Sequence, residues 1–267
     1  MTLLNLAILA LIQGITEFLP VSSSGHLVLL PQLTGLADQG LALDVAVHVG
    51  TLGAVVLYFW SDVKVALVGT GQLLRWQLNT KAAFLALCLL VATIPVVIAG
   101  LVVHAMGWNA ALRSTAVIGW TMLIFGLVLY WADRTGGHDR SFDGWSLRHA
   151  LVMGLYQAVA LIPGTSRSGI TITAARRLGY GREDAARLAM LMSIPTILAS
   201  GAVLGIDVVS EADWQTARDG AIAAVFAFAS ALAALWAMMR LLRHVSFTPY
   251  VLYRVALGVV LLWIAYS

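Results

Sequence analysis

"QGITEFLPVSSSGH", Gln13 to His26, places a carboxylate, three serines and a histidine in an otherwise apolar stretch. A second polar interruption, "PGTSRSGITIT", runs from Pro163 to Thr173. Regions 2–36 and 148–177 share one pattern. Each has an apolar segment, a Pro/Gly/Ser break, then a short second apolar piece. Neither half reaches the roughly 20 residues that a helix needs to cross a bilayer. Irregular backbone at membrane depth is tolerated only inside protein or beside a water-filled cavity. The pattern therefore predicts a re-entrant helix–loop–helix hairpin in each region.

The rest of the chain demands the same environment. Of 267 residues, 60% are hydrophobic and 11% charged, against roughly 25% charged in a soluble domain. Six continuous apolar runs, near 41–60, 82–105, 113–131, 184–207, 217–240 and 248–266, are long enough to span. They are too long and continuous for a β-barrel, whose strands alternate over about ten residues. Trp60, Trp108, Trp131, Trp145, Trp214 and Trp263 sit near the ends of the runs, where an interfacial aromatic belt is expected. The expected architecture is all-α and polytopic, a single integral membrane domain over 1–267. A net charge of +3 is small and lies mostly in loops, which argues against nucleic acid as a partner. The lone Cys88 allows no internal disulfide. The first twelve residues lack Lys and Arg, so no cleavable signal peptide is expected.

Loop charge sets the orientation. Segments 61–81, 132–148, 176–187 and the turn at Arg240 and Arg243 are basic, which places them in the cytoplasm. The acidic stretch 207–219 and the turn at 106–112 belong outside. These assignments agree only when six segments cross and both hairpins return to the side they entered. The first hairpin then dips in from outside and the second from the cytoplasm. That is a 3+3 inverted-topology repeat, approximately 1–140 and 145–267. A shift of 144 residues lays Gln13 on Gln157, Ser22 on Ser166, Ser24 on Ser168 and Gly25 on Gly169. In such proteins paired broken helices meet near the midplane and build the site.

Arg167 within the membrane needs an anionic partner, either Glu17 or a phosphate gripped bidentately. Ser22, Ser23 and Ser24, and Ser166, Ser168 and Gly169, open short helices whose free N–H groups and hydroxyls suit an anion. Two such starts facing each other would cradle a diphosphate. Gln13 and Glu17 share a helical face. Glu17 could hold Mg²⁺ or Ca²⁺, or orient a base. Ser23 and His26 are the candidate nucleophiles or proton carriers. Asp44 and His48 form a further i, i+4 pair. Pro95, Pro195 and Arg254 interrupt spans without an evident role.

With these residues in view, the chain resembles the bacterial undecaprenyl-diphosphate phosphatases. "QGITEFLPVSSSGH" is similar to that family's [E/Q]-x-x-x-E-F-L-P-[VI]-S-S-[ST]-G-H signature, and "PGTSRSGITIT" to its P-G-x-S-R-S-[GA]-x-T motif. The resemblance implies a multi-pass enzyme of the bacterial inner (plasma) membrane. It would hydrolyse undecaprenyl diphosphate to undecaprenyl phosphate and orthophosphate, recycling the lipid carrier of peptidoglycan synthesis. It also implies a divalent cation, a homodimer and bacitracin resistance. Glu17, Ser22, Ser23, His26, Ser166, Arg167, Ser168 and Thr171 match the motifs. Gln13 replaces an acid allowed at its position, which bears on metal affinity and the choice of base. The competing reading is a transporter or flippase of undecaprenyl phosphate or another anion on the same scaffold. The gathering of Ser, His, Glu and Arg favours the enzyme, because a carrier needs no nucleophile.

The active site is expected toward the periplasm. Cysteines introduced within 207–219 should react with a membrane-impermeant thiol reagent applied to intact spheroplasts. Reaction only after lysis would reverse the orientation.

Overall fold

The chain is described by a computed structural model covering residues 2–34, 40–108, 112–211 and 214–267, with side chains except at 28, 30–34 and 203–211. Among the described residues there are eleven α-helices and no strand. They are α1 (Leu3–Phe18), α2 (Ser23–Thr34), α3 (Leu41–Tyr58), α4 (Trp60–Leu74), α5 (Lys81–Ala105) and α6 (Thr115–Thr135). After a 3₁₀ turn at Phe142–Gly144 come α7 (Leu147–Val159), α8 (Arg167–Arg177), α9 (Arg182–Glu211), α10 (Trp214–Leu241) and α11 (Thr248–Tyr266).

Six helical segments are long and apolar enough to cross a membrane: α3, α5, α6, Arg182–Ala202 of α9, α10 and α11. These are the six runs expected from hydropathy. The interrupted regions fold as helix pairs, α1–α2 and α7–α8, each around a break at its Pro/Ser-rich motif. Local chemistry sets several starts. The hydroxyls of Thr80 and Ser146 accept the N–H of Ala83 (3.0 Å) and His149 (3.3 Å), capping α5 and α7. Pro249 occupies the first turn of α11, where its missing N–H costs nothing.

The helices exchange partners between the two halves. α1 packs on α10, and α7 packs on α5, while α6 lies along α11. Small residues permit the approach. A methyl on Gly14 would strike the α10 backbone at Ala227, and one on Gly154 would strike the α5 backbone at Ala92. Close backbone contact through small residues drives helix association in lipid, where no hydrophobic gain is available.

Three features differ from the sequence reading. Residues 60–74 of the expected loop 61–81 form the helix α4, which packs along α5. Its glycines and mixed polarity masked the helical period. Trp145 does not face outward as a belt residue would; it is buried in the main apolar core. The acidic stretch 207–219 is not a loop: α9 runs to Glu211 and α10 begins at Trp214, with Asp219 buried inside it. Asp213 falls outside the described residues, as do the side chains of Asp207 and Glu211.

Several arginines that count as basic loop charge are structural. Arg176 is fully buried. It donates to Asp133 Oδ1 (3.1 Å) and to the carbonyls of Asp133, Gly137 and Tyr180. Asp133 also takes Arg182 Nε (2.8 Å) and the backbone N–H of Phe247 (3.2 Å). One carboxylate thus ties α6, α8, α9 and the start of α11. Nearby, burial pushes the Tyr180 phenol up to about 12, so its hydroxyl stays protonated and donates to Gly144 O. Arg187 makes a two-pronged pair with Asp62 of α4 at 2.5 and 2.8 Å.

Removing one member of a buried charge pair strands the other, at about 3–5 kcal/mol. Asp133→Ala should therefore lower the melting temperature in detergent sharply, and more than Asp62→Ala, whose partner Arg187 is partly exposed. Equal, small shifts would show that Asp133 does not hold the four helices.

Candidate active site

The two helix breaks meet and satisfy each other. In each, a serine adopts a left-handed backbone, Ser22 and Ser166, both at φ 69°. This conformation costs a non-glycine residue roughly 1–2 kcal/mol. In each, that serine's hydroxyl bonds the serine two residues on: Ser22 with Ser24 at 2.9 Å, Ser166 with Ser168 at 3.1 Å. The second serine then crosses to the other break. Ser24 Oγ accepts the N–H of Gly164 (2.9 Å), and Ser168 Oγ donates to Leu19 O (3.0 Å).

Arg254 of α11 completes the clasp. It is fully buried and donates only to carbonyls: Pro20 (3.5 Å), Gly164 (3.0 Å), Thr165 (2.9 Å) and Met122 (3.3 Å). Pro20 and Gly164 are themselves 144 residues apart, so Arg254 binds corresponding points of the two breaks. Gly164 has φ +89°, and a Cβ there would strike Thr121 and the backbone of Ile118. Thr121 Oγ1 in turn donates to Pro163 O (2.6 Å).

Between the breaks lies a cavity of about 640 Å³. Glu17, Ser22, Ser23, Ser24, Ser166 and Arg167 line it, together with Asp44 and His48 from α3, Arg113 before α6, Gln157 from α7, and Thr196 and Ser200 from α9. Glu17 is its electrostatic centre. Arg167 Nη2 donates to Glu17 Oε1. Glu17 Oε2 accepts Gln13 Nε2 (2.8 Å) and faces the Ser23 hydroxyl at 3.4 Å. His48 Nε2 lies 3.7 Å from the same oxygen and 3.2 Å from Gln13 Nε2. His48 Nδ1 donates to Asp44 O (2.6 Å), leaving Nε2 as the acceptor.

The other sequence candidates sit behind this wall. His26 turns toward α11: Nδ1–H donates to Ser22 O (2.9 Å), and Nε2 accepts the hydroxyl of Tyr253 (2.6 Å), on which the ring stacks. Ser168, Gly169 and Thr171 are buried in α8, where Thr171 bonds back to Arg167 O. Gly169 N–H is capped by Ser166 Oγ (3.1 Å), and a Cβ on Gly169 would crowd Arg254. The prolines find a place here too. Each removes one intrahelical hydrogen bond, and the residues after them, Val96 and Thr196, line the cavity.

Residues without a definite role in the sequence reading left unequal signals. Asp44 and His48 showed their i, i+4 spacing. Arg254 showed as a charge inside a span. Arg113 and Thr196 showed nothing, because only tertiary packing brings them to the cavity.

The donors around Glu17 fit a hard cation. Gln13 Oε1 is buried without a partner in the protein, and carboxylate, carboxamide and hydroxyl oxygens suit Mg²⁺ or Ca²⁺. Among the described residues no three His, Cys, Asp or Glu side chains converge as a metal cluster. Any cation here would thus draw most of its ligands from phosphate oxygens and water.

A polytopic helical bundle with a carboxylate, serines and an arginine at paired helix breaks is a multi-pass membrane protein with an internal polar cavity. The chain belongs to the family described as Bacitracin resistance protein BacA, which matches residues 6–260. It is 70% identical to a protein of Roseobacter denitrificans and 68% identical to one of Dinoroseobacter shibae, over the whole of each chain. A relative in Alteromonas mediterranea is 44% identical, also over both full chains. All three are named undecaprenyl-diphosphatase.

Arg254→Leu should unfold the clasp, because it strands buried carbonyls at about 1–3 kcal/mol each. The expected result is a melting temperature lowered by more than any single serine-to-alanine change at 22, 24, 166 or 168. An unchanged melt would remove Arg254 from the clasp.

Proposed function

We infer that this protein is an undecaprenyl-diphosphate phosphatase, a multi-pass membrane hydrolase that releases orthophosphate and returns undecaprenyl phosphate to cell-wall synthesis. The observation that carries the chemistry is the convergence of Ser23, Glu17 and Arg167 on one cavity. The full-length relatives carry the substrate.

The roles follow from geometry. The diphosphate enters between the breaks, with its polyprenyl tail in lipid. Arg167 leaves Glu17 in part to hold the phosphoryl oxygens, as a guanidinium serves carboxylate and phosphate alike. Ser23 Oγ attacks the terminal phosphorus, and its proton passes to Glu17 Oε2. The bridging P–O bond breaks, and undecaprenyl phosphate leaves with the electron pair. Water then cleaves the phosphoserine, releasing orthophosphate. Ser23 is preferred to His26 as nucleophile because it lines the cavity, whereas both His26 nitrogens are engaged on α2 and α11. His26 then acts by holding Ser22 O and Tyr253. A divalent cation held by Glu17 and Gln13 Oε1 would neutralise charge building on the phosphoryl oxygens.

The re-entrant hairpins and the 3+3 inverted repeat, over halves of approximately 1–140 and 145–267, belong to this proposal. The twinned breaks and the exchanged packing of α1 on α10 and α7 on α5 support them. The periplasmic placement of the site is part of the same proposal and rests on the charge pattern. The homodimer that the family resemblance implies belongs to this proposal too.

Purified protein in detergent should release phosphate from a polyprenyl diphosphate when Mg²⁺ or Ca²⁺ is present and lose this on chelation. Ser23→Ala, Glu17→Gln and Arg167→Ala should each lower kcat by about 10²-fold or more, with unchanged melting for Ser23→Ala. Tyr253→Phe should cost far less. No release from folded wild type would move the assignment to a carrier of the same lipid.

A further inference from the structure

Gln157 is fully buried, yet it lines the cavity, and its Oε1 has no partner in the protein. Gln157 Nε2 donates to Thr196 Oγ1 (3.0 Å), and the Thr196 hydroxyl spends its own proton on Met192 O (3.1 Å). With Nε2 so engaged, Oε1 is the carboxamide atom left without a partner in the protein. A buried acceptor without a donor costs about 1–3 kcal/mol. Here it belongs to the same cavity as the Glu17–Arg167 pair, on α7 rather than in the motif-bearing breaks.

The position is telling in the repeat. Gln13, 144 residues earlier, spends its Nε2 on Glu17 and His48. The residue corresponding to Glu17 is Leu161, so Gln157 has no carboxylate to orient. Its acceptor is left for a donor that the cavity admits.

We propose that Gln157 is a phosphoryl-recognition residue whose Oε1 accepts the hydrogen of a protonated phosphoryl oxygen. The proposal rests on the phosphatase reading for its ligand. The second pKa of a phosphate group lies near about 6, so at neutral pH a sizeable fraction carries P–OH. Both the terminal phosphoryl of the lipid and free orthophosphate present this group. Sulfate is of similar size and carries no proton at this pH. A buried acceptor facing it is repelled, in the way that sites built for one hydrogen bond reject the analogue lacking it. Gln157 therefore confers selectivity for hydrogen phosphate over sulfate.

The test uses the full-length protein in detergent with inorganic phosphate and sodium sulfate as probes. Wild type should be thermally stabilised by phosphate at concentrations about tenfold below those sulfate requires. Gln157→Met removes the orphaned acceptor while keeping the volume, so it should melt no lower than wild type but lose the phosphate preference. Gln157→Glu provides a second variant should the first fail to fold. Its carboxylate repels oxyanions when ionised and restores a hydrogen-bonding carboxyl when protonated, so its turnover should recover toward low pH relative to wild type. Turnover of a polyprenyl diphosphate separates the two ligand sources. Weakened phosphate inhibition with a raised KM assigns Oε1 to the phosphoryl of both lipid and product, and weakened inhibition with an unchanged KM assigns it to the product alone. A Gln157→Met protein with the wild-type phosphate-to-sulfate preference, or a Gln157→Glu pH profile superposing on wild type, would overturn the proposal. Wild-type turnover is scored separately, so loss of the hydrolase reading is distinguishable from loss of this one.

Discussion

Backbone that leaves helical geometry inside an apolar bundle must find partners within the protein. Everything distinctive in this structure depends on that constraint. The two breaks are each other's partners, through Ser24 and Ser168, and a single buried guanidinium, Arg254, takes carbonyls from both. The strained serines at 22 and 166 persist because the neighbouring contacts over-determine them. Opening one break would strand groups in the other, so the pair forms as a unit. The result is a polar floor inside the helical bundle.

On that floor the chemistry comes from divergence. The position of Ser23 in the first break is that of Arg167 in the second. Glu17 corresponds to Leu161 and His26 to Ile170. One break thus supplies hydroxyl and carboxylate, and the other supplies the guanidinium. Opposite charges meet across the clasp without needing a second charge within either hairpin. A symmetric site would set two carboxylates or two arginines face to face, which a low-dielectric interior disfavours.

Charge elsewhere divides between orientation and architecture. Arg134 and Arg240 lie over the rings of Tyr130 and Trp236 at the ends of α6 and α10, in keeping with an interfacial belt. Arg176, by contrast, is wholly internal, and Arg187 reaches back to α4. Counting basic residues by segment gives a consistent topology even though some of the counted charges never meet solvent.

Hydropathy and punctuation made much of the molecule legible. Crossing a bilayer requires a length of apolar helix, so α3, α5, α6, α9, α10 and α11 could be read from continuous runs. The breaks could be read because Pro, Gly and Ser are out of place there, and Glu17 and Arg167 because lone charges in such surroundings demand partners. Short-range pattern carried no such signal for α4 or Trp145, whose burial depends on what packs over them. Nor could it decide that Ser23 faces the cavity while His26, three residues on, turns to Tyr253 on α11. The same holds for Arg254, Gln157 and Thr196, which reach the site from helices distant in sequence. A chain encodes periodicity and charge locally. Which side chains converge on a cavity depends on how helices pack, and that was settled only by the tertiary structure.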